Sequence, residues 1–364
     1  MTGGIVTTDT LALSPAGLLR FQDLRSEAIK TVSERFYSHH AADYSHFGQR
    51  GREACREDLG FHLDFFRPVL EFGLLQPMVD YLRWLASVLA TRDVPAGHLS
   101  LSLDWFSEFF SANMDDSDAR IVAANLKQIK TVFLQEDHTE PAIYGMMPEA
   151  WPESDLFEKA LLAGDRSSAD TLLALSLQRG HGLLDAELHM IQPALYRIGH
   201  KWQNNVVSVA QEHLATAIAQ AVMNHGLLKS QIPASNGRRV VLACVEGNNH
   251  SVGLQMVADA FLLAGWDAQF LGADVPTSSL IRHLEQVKPD LLGLSVSLPQ
   301  QLRVVKTVMS RLTQSLGNAR PPVIIGGLAI NQFYSLADKL AADAWSPNAR
   351  SAVTRASMFA APMA

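Results

Sequence analysis

Asn248-Asn249-His250-Ser251-Val252-Gly253 places a histidine three residues ahead of a glycine, behind two amides. Neutral imidazole is a common metal ligand. A nearby glycine lets a bulky ligand approach the backbone. Three patterns follow in order: Leu271-Gly272-x-x-Val275-Pro276, then Ser295-Val296-Ser297, then Gly326-Gly327. A second group lies upstream, Pro193-Ala194-Leu195-x-x-Ile198-Gly199-x-x-Trp202, followed after nine residues by Glu212-His213. An indole face can pack on a flat group, and a carboxylate can accept from hydroxyls. A third run is Gly51-Arg52-Glu53-Ala54-Cys55-Arg56-Glu57-Asp58-Leu59-Gly60-Phe61-His62-Leu63. Here His62 falls on the same helix face as Asp58, four residues on. Taken singly, each has an ordinary reading: His250 as a capping or solvent histidine, Trp202 as core filling, Glu212 as part of a solvated face.

The elements that must position these residues separate by period. From about Ser14 to Gln135 apolar residues recur three and four apart, which predicts helices over Leu18–Tyr37, Arg50–Phe66 and Gln76–Leu89. The stretch Glu136–Ser154, with Pro141, Pro148 and Pro152, reads as a linker. Asp155 is expected to cap a further helix, stopped by Gly164-Asp165, with others from about Ser168, Leu183 and Ser208. Four short helices with brief connections make an antiparallel bundle. The period then changes. Arg239–Val245, Asp267–Leu271, Leu291–Val296 and Val323–Ile325 read as buried parallel strands, separated by helices such as Gly253–Ala264 and Ser278–Val287. This alternation predicts a doubly wound α/β sheet. The loops 246–250, 272–276, 295–299 and 326–329 then share the carboxyl edge, where such sheets bind ligands. The expected fold class is multi-domain, α and α/β. The expected domains are a helical unit over 1–140, a bundle over 154–232 and a Rossmann-like sheet over 237–364.

Composition narrows the function classes. A chain of 364 residues exceeds one ordinary core. A net charge of −7 with no basic run gives no nucleic-acid surface. No run of 18 apolar residues suggests a membrane span, and Met1–Leu11 lacks the pattern of a secretory signal. Cys55 and Cys244 form no paired metal spacing and suit a reducing cytoplasm.

The four elements between Asn248 and Gly327 resemble, in order and spacing, the cobalamin-binding domains, whose motif reads Asp-x-His-x-x-Gly. The resemblance implies that His250 is the lower axial ligand to cobalt. It also implies that the cobalamin's nucleotide tail is withdrawn from the metal and threaded beside Ser295, Ser297 and the Gly326-Gly327 turn. Asn248, Ser251, Gly253, Gly272 and Val275 lie along the same cofactor in that reading. Asn248 departs from the motif's Asp, which hydrogen-bonds the ligating histidine and raises its basicity. An amide carries no charge, so weaker tuning of cobalt and less aptitude for methyl-transfer cycling are expected.

Trp202 with Glu212-His213 is similar to the Trp-x9-Glu-His signature of light-responsive transcriptional repressors that bind adenosylcobalamin. Over about 156–228 the bundle resembles theirs and that of methionine synthase's cobalamin module. The resemblance sets Trp202, Glu212 and His213 at the upper face, around the adenosyl group. In those repressors a histidine directly after the Trp takes the upper cobalt position after photolysis. Gln203 stands there in this chain. Another residue such as His200 or His213, or water, would take its place.

The run around Cys55 looks like the bilin-attachment helix of phycobiliproteins, with Arg56 shifted by one from the motif's arginine. That resemblance implies a globin-like N-terminal domain, Asp58 accepting from pyrrole nitrogens, Arg52 pairing with propionates and His62 beside them. Cys55 is either a thioether link or a buried thiol. A globin-like bilin domain ahead of a cobalamin bundle and sheet resembles the photocobilins. The implied function is a light sensor carrying adenosylcobalamin and biliverdin, not an enzyme, working in the cytoplasm. Its output would be light-dependent homo-oligomerisation or contact with a separate regulator, without direct nucleic-acid or membrane binding. Two alternatives are a corrinoid carrier for methyl transfer and a cobalamin-binding regulator without photochemistry.

Overall fold

The computed structural model describes residues 12–90, 94–135 and 147–359. The two chain ends, including Met1–Leu11, and residues 136–146 of the expected linker lie outside them. The chain divides into two compact units, Met1–Ala142 and Ile143–Ala364.

Among the described residues the first unit holds helices and no strand. Its helices are α1 (Pro15–His39), the single turn α2 (Ala41–Tyr44), α3 (Gly48–Phe72), α4 (Leu75–Ala90), α5 (Gly97–Asn113) and α6 (Asp116–Gln135). Ser14 caps α1 by accepting from the Gly17 amide, and Pro15 takes the first helical position, where its missing N–H costs nothing. The five long helices close a ring. α1 packs on α3 and α5, α4 on α3 and α6, and α5 on α6. The enclosed core is aromatic, with Phe21, Phe66, Phe106, Phe110 and Phe133 fully buried and Phe21 stacked on Phe110 at 4.9 Å. Arg25 ties α1 to α3 by a two-pronged contact with Asp64, at 3.0 and 2.8 Å.

The second unit joins a bundle to a sheet. Its helices are α7 (Glu153–Leu162), α8 (Arg166–Gln178), a composite third helix and α11 (Val209–Lys229). The composite helix runs as α9 (Leu183–Ala186), one π turn (Glu187–Ile191) and α10 (Gln192–Gln203). Asp155 does not cap α7. That helix starts at Glu153 behind Pro152, so Asp155 sits inside the first turn, where the helix dipole favours a carboxylate. Asp165 caps α8 by accepting from the Ser168 amide, and Ser208 with Gln211 forms a capping box on α11.

The sheet has five parallel strands in the order β2-β1-β3-β4-β5. They are β1 (Arg239–Val245), β2 (Asp267–Val275), β3 (Leu291–Ser295), β4 (Val323–Gly326) and β5 (Ala344–Ser346). The connecting helices are α12 (Val252–Leu263), α13 (Thr277–Val287), α14 (Leu302–Leu316) and α15 (Leu328–Gln332), and α16 (Ala349–Ala356) follows β5. β1 and β3 are buried along nearly their whole length, as strands covered on both faces must be. The strand order reverses between β1 and β3, so the crevice at their carboxyl ends is the topological switch point. Bundle and sheet share one core, in which Met256 and Ala260 of α12 and Ala349 of α16 join the bundle's apolar residues.

Candidate functional site

The loop after β1 is held at the switch point by a side chain that is itself fully buried. Asn248 donates through Nδ2 to the Ser295 carbonyl at 2.9 Å, and its Oδ1 accepts from the His250 amide at 3.1 Å. One amide therefore clamps the end of β3 to the backbone of the histidine. The tuning role expected for the motif's first residue is not what Asn248 performs here, since its polar atoms serve the backbone. Cys244, buried at the end of β1, adds a weak contact from Sγ to the His250 carbonyl at 3.6 Å. Replacing Asn248 with Ala leaves the Ser295 carbonyl and the His250 N–H without their partner. A loss of about 1–3 kcal/mol is expected in denaturant unfolding of the cobalamin-free protein.

Neighbouring loops are laced to this one. Gln301 donates to the Gly247 carbonyl at 2.7 Å and accepts from the Ser297 and Leu298 amides. Glu246 accepts from the Thr277 amide and hydroxyl. Asp274 accepts from the Gly247 amide at 2.7 Å, while its own backbone takes φ +48°. Short polar residues tolerate that conformation best after glycine. Sequence reasoning missed Gln301, Glu246, Thr277 and Asp274, because loop residues of this kind carry no period.

His250 is an exposed residue at the open edge. The surrounding protein mass pushes its pKa down by desolvation, and the negative charge of Glu212 opposes that shift. The net shift favours the neutral imidazole, the form that ligates metals. Glu212 belongs to the first turn of α11, so the same observation shows that the bundle sets a carboxylate within electrostatic range of His250. Val252, two residues beyond the histidine, packs against the bundle core. Glu212 also accepts from the Thr216 hydroxyl at 2.7 Å and touches His213 at 2.6 Å, with His213 largely exposed. Trp202 and His200 sit half-buried in the last turn of α10.

The glycines divide into two kinds. A Cβ built on Gly253 or Gly272 meets nothing within 4 Å, so both lie beside open space. Gly326 and Gly327 are packed tight. A Cβ on Gly327 would stand 2.4 Å from the Val296 carbonyl oxygen, and one on Gly326 would stand 2.9 Å from that of Ser346. Ser295 is buried at the end of β3, Ser297 is half-buried, Val275 is buried at the end of β2, and Ser251 is half-buried ahead of α12.

These residues fit a corrinoid. Among the described residues no group of three or more His, Cys, Asp or Glu could hold a metal ion. A metal at His250 would bring most of its own ligands, as cobalt in a corrin ring does. The neutral exposed imidazole and the open space at Gly253 and Gly272 suit that arrangement.

The N-terminal candidates are more scattered. Arg52 is exposed and lies over the Tyr37 ring at 4.2 Å. Cys55 is half-buried, with burial pushing its thiol up to about 11. Asp58 is half-buried. His62 is buried, its Nδ1 2.6 Å from the Asp58 carbonyl and 3.0 Å from the Tyr81 hydroxyl. Burial pushes the His62 pKa down to about 4. It is a core histidine, buried where Arg52 is exposed.

Residues 238–354 match the family model of the B12 binding domain, and residues 154–225 match a second B12 binding domain model. The HTH-type transcriptional repressor CarH of Myxococcus xanthus is 25% identical over 264 residues, which is 70% of this chain and 85% of that protein. Dimethylamine corrinoid protein 3 of Methanosarcina mazei is 32% identical over 117 residues, 32% of this chain and 69% of that protein. The solved structure of the Methanosarcina barkeri monomethylamine corrinoid protein, 20% identical, covers 57% of this chain and 98% of its own with a TM-score of 0.49. No described helix is long and apolar enough to cross a membrane.

Proposed function

We propose that this chain, which belongs to the family of B12-binding proteins, is a light sensor that holds adenosylcobalamin between its bundle and its sheet. Cobalamin is the cofactor of the matched domains. The adenosyl form and the light response are part of the proposal. One observation carries it: Glu212, at the start of α11, lies within electrostatic range of His250, with Trp202 ahead of it at the end of α10. When bound, adenosylcobalamin supplies a cobalt–carbon bond that visible light cleaves.

The chain's residues divide the remaining work. His250 would hold the cobalt through an imidazole nitrogen, and Asn248 fixes its loop. Ser295, Ser297 and the glycine turn at Gly326-Gly327 would line the path of the nucleotide tail. Glu212 would accept from hydroxyls of the adenosyl group, and Trp202 would offer it a flat face. Loss of the group that these two hold would free the bundle to shift on the sheet. The output is then a change of self-association or of contact with a separate regulator. We further propose that the helical N-terminal unit takes a bilin such as biliverdin along the Arg52, Cys55 and Asp58 stretch of α3. The raised thiol of Cys55 supports a non-covalent pigment over a thioether there, because the thiolate is the nucleophile. Two free cysteines suit the reducing cytoplasm in which we place the protein.

A second reading, a carrier of corrinoid methyl groups, draws on the similarity to dimethylamine corrinoid protein 3. Competition binding separates the two. The wild type is expected to prefer adenosyl- over methylcobalamin, and Trp202→Ala with Glu212→Gln to reduce that preference about tenfold or more, as loss of a stacking face and a charged acceptor implies. Equal affinity for both cobalamins in the wild type would favour the carrier.

A further inference from the structure

Glu187 and Asp259 are two carboxyl side chains buried on facing elements of the second unit, at 0% and 3% exposure. Glu187 opens the π turn of the bundle. Asp259 lies along α12, the helix that begins directly after the His250 loop. Among the described residues, no donor reaches either oxygen of Glu187 or Oδ2 of Asp259, although the two carboxyl groups lie within hydrogen-bonding reach of each other. Two ionised carboxylates are both acceptors, so neither can satisfy the other. One proton would supply the missing donor, turning an unsatisfied pair into a strong hydrogen bond. A π turn is uncommon in a helix and marks functional positions more often than chance.

We propose that Glu187 and Asp259 share one proton and so form a latch that holds the bundle's π turn on α12, and through it on the loop that carries His250. A polar seam continues the contact toward α11. Gln255, one turn before Asp259, donates to Asn224 at 3.0 Å and accepts from Gln220. The sign follows from burial. Desolvation raises the pKa of both groups, and the Asp259 charge raises Glu187 further. The folded protein therefore holds a proton that the unfolded chain would release. The stabilisation is complete in acid and is lost as pH rises through the raised values.

Several charged groups on the surrounding elements are engaged elsewhere. Glu158 of α7 is held by Arg197 and Lys201. Asp185 of α9 pairs with Arg350 of α16. His225 of α11 pairs with Asp170. Arg355 of α16 lies over Trp345. Asp267 of β2 pairs with Arg239 of β1. Among the described residues, the charge that raises Glu187 is that of Asp259.

The latch is tested in cobalamin-free protein, so its failure and failure of the light-sensing reading are distinguishable. Hydrogen-exchange protection, corrected for intrinsic rates, is followed for 183–203 and 252–263. In the wild type, protection is expected to fall about tenfold between about pH 6 and about pH 9. Glu187→Gln, which keeps a donor toward Asp259, is expected to hold its protection across that range. Glu187→Ala, which leaves Asp259 with no donor, is expected to lose it at every pH. Asp259→Asn serves as a second pH-insensitive variant should Glu187→Gln fold poorly. Wild-type protection that does not change with pH overturns the latch, as does Glu187→Gln or Asp259→Asn protection that falls in parallel with the wild type.

Discussion

Replacing His250 with Ala is expected to leave the protein folded and to remove its hold on cobalt. The side chain is exposed, and its loop is fixed through the backbone, by the His250 amide to Asn248 and the His250 carbonyl to Cys244. Alanine preserves both contacts. Groups that only orient a metal ligand are worth roughly ten- to a hundredfold in affinity, so loss of the ligand itself should cost about a hundredfold. Titration of the protein into cobalamin, read by absorbance, measures the affinity. The spectrum reports whether a protein nitrogen is bound. An unchanged affinity and spectrum would remove His250 from the metal.

Gly327→Ala is expected to be the most destabilising small substitution in the sheet. Gly327 sits at φ +100° and ψ 172°, a region open almost only to glycine and costing others about 1–3 kcal/mol. Its Cβ would also stand 2.4 Å from the Val296 oxygen and 2.8 Å from the Val296 nitrogen. These are backbone atoms, tied by the bonds from the Val296 amide to the Gly326 carbonyl and from the Ala329 amide to the Val296 carbonyl. They cannot rotate aside as a side chain can. A total loss of about 3 kcal/mol or more is expected, read as a lowered denaturation midpoint of the second unit. The β3–β4 crevice would be distorted with it, so cobalamin binding should weaken in the same variant.

The sheet was the most legible part of the chain. Apolar runs gave β1 and β3 within a residue, because strands buried on both faces leave an uninterrupted signal. β2 runs on to Val275, four residues past its expected end at Leu271. There the positive φ of Gly272 and Asp274 lets the strand bend while still pairing with β1. β5 was missed, since Ala344-Trp345-Ser346 is too short to show a period. The helices of both units were legible from their spacing, but not the π turn at Glu187, because one extra residue leaves the apolar face nearly continuous. His250, Trp202 and Glu212 stood out because their spacing is itself the signal. The Asn248 clamp and the Glu187–Asp259 pair were not legible. Each depends on which residues meet across elements far apart in sequence. His62 shows the reverse case, since its partner Tyr81 lies on the next long helix and draws it into the core.

The central claim is that light changes this protein through its cobalamin. It is tested most directly by loading the purified protein with adenosylcobalamin in the dark, then recording absorbance and sedimentation before and after green light. The account predicts a lasting spectral change together with a shift in oligomeric mass, both diminished when Trp202 and Glu212 are replaced. Illuminated protein with the spectrum and mass of the dark sample would contradict it.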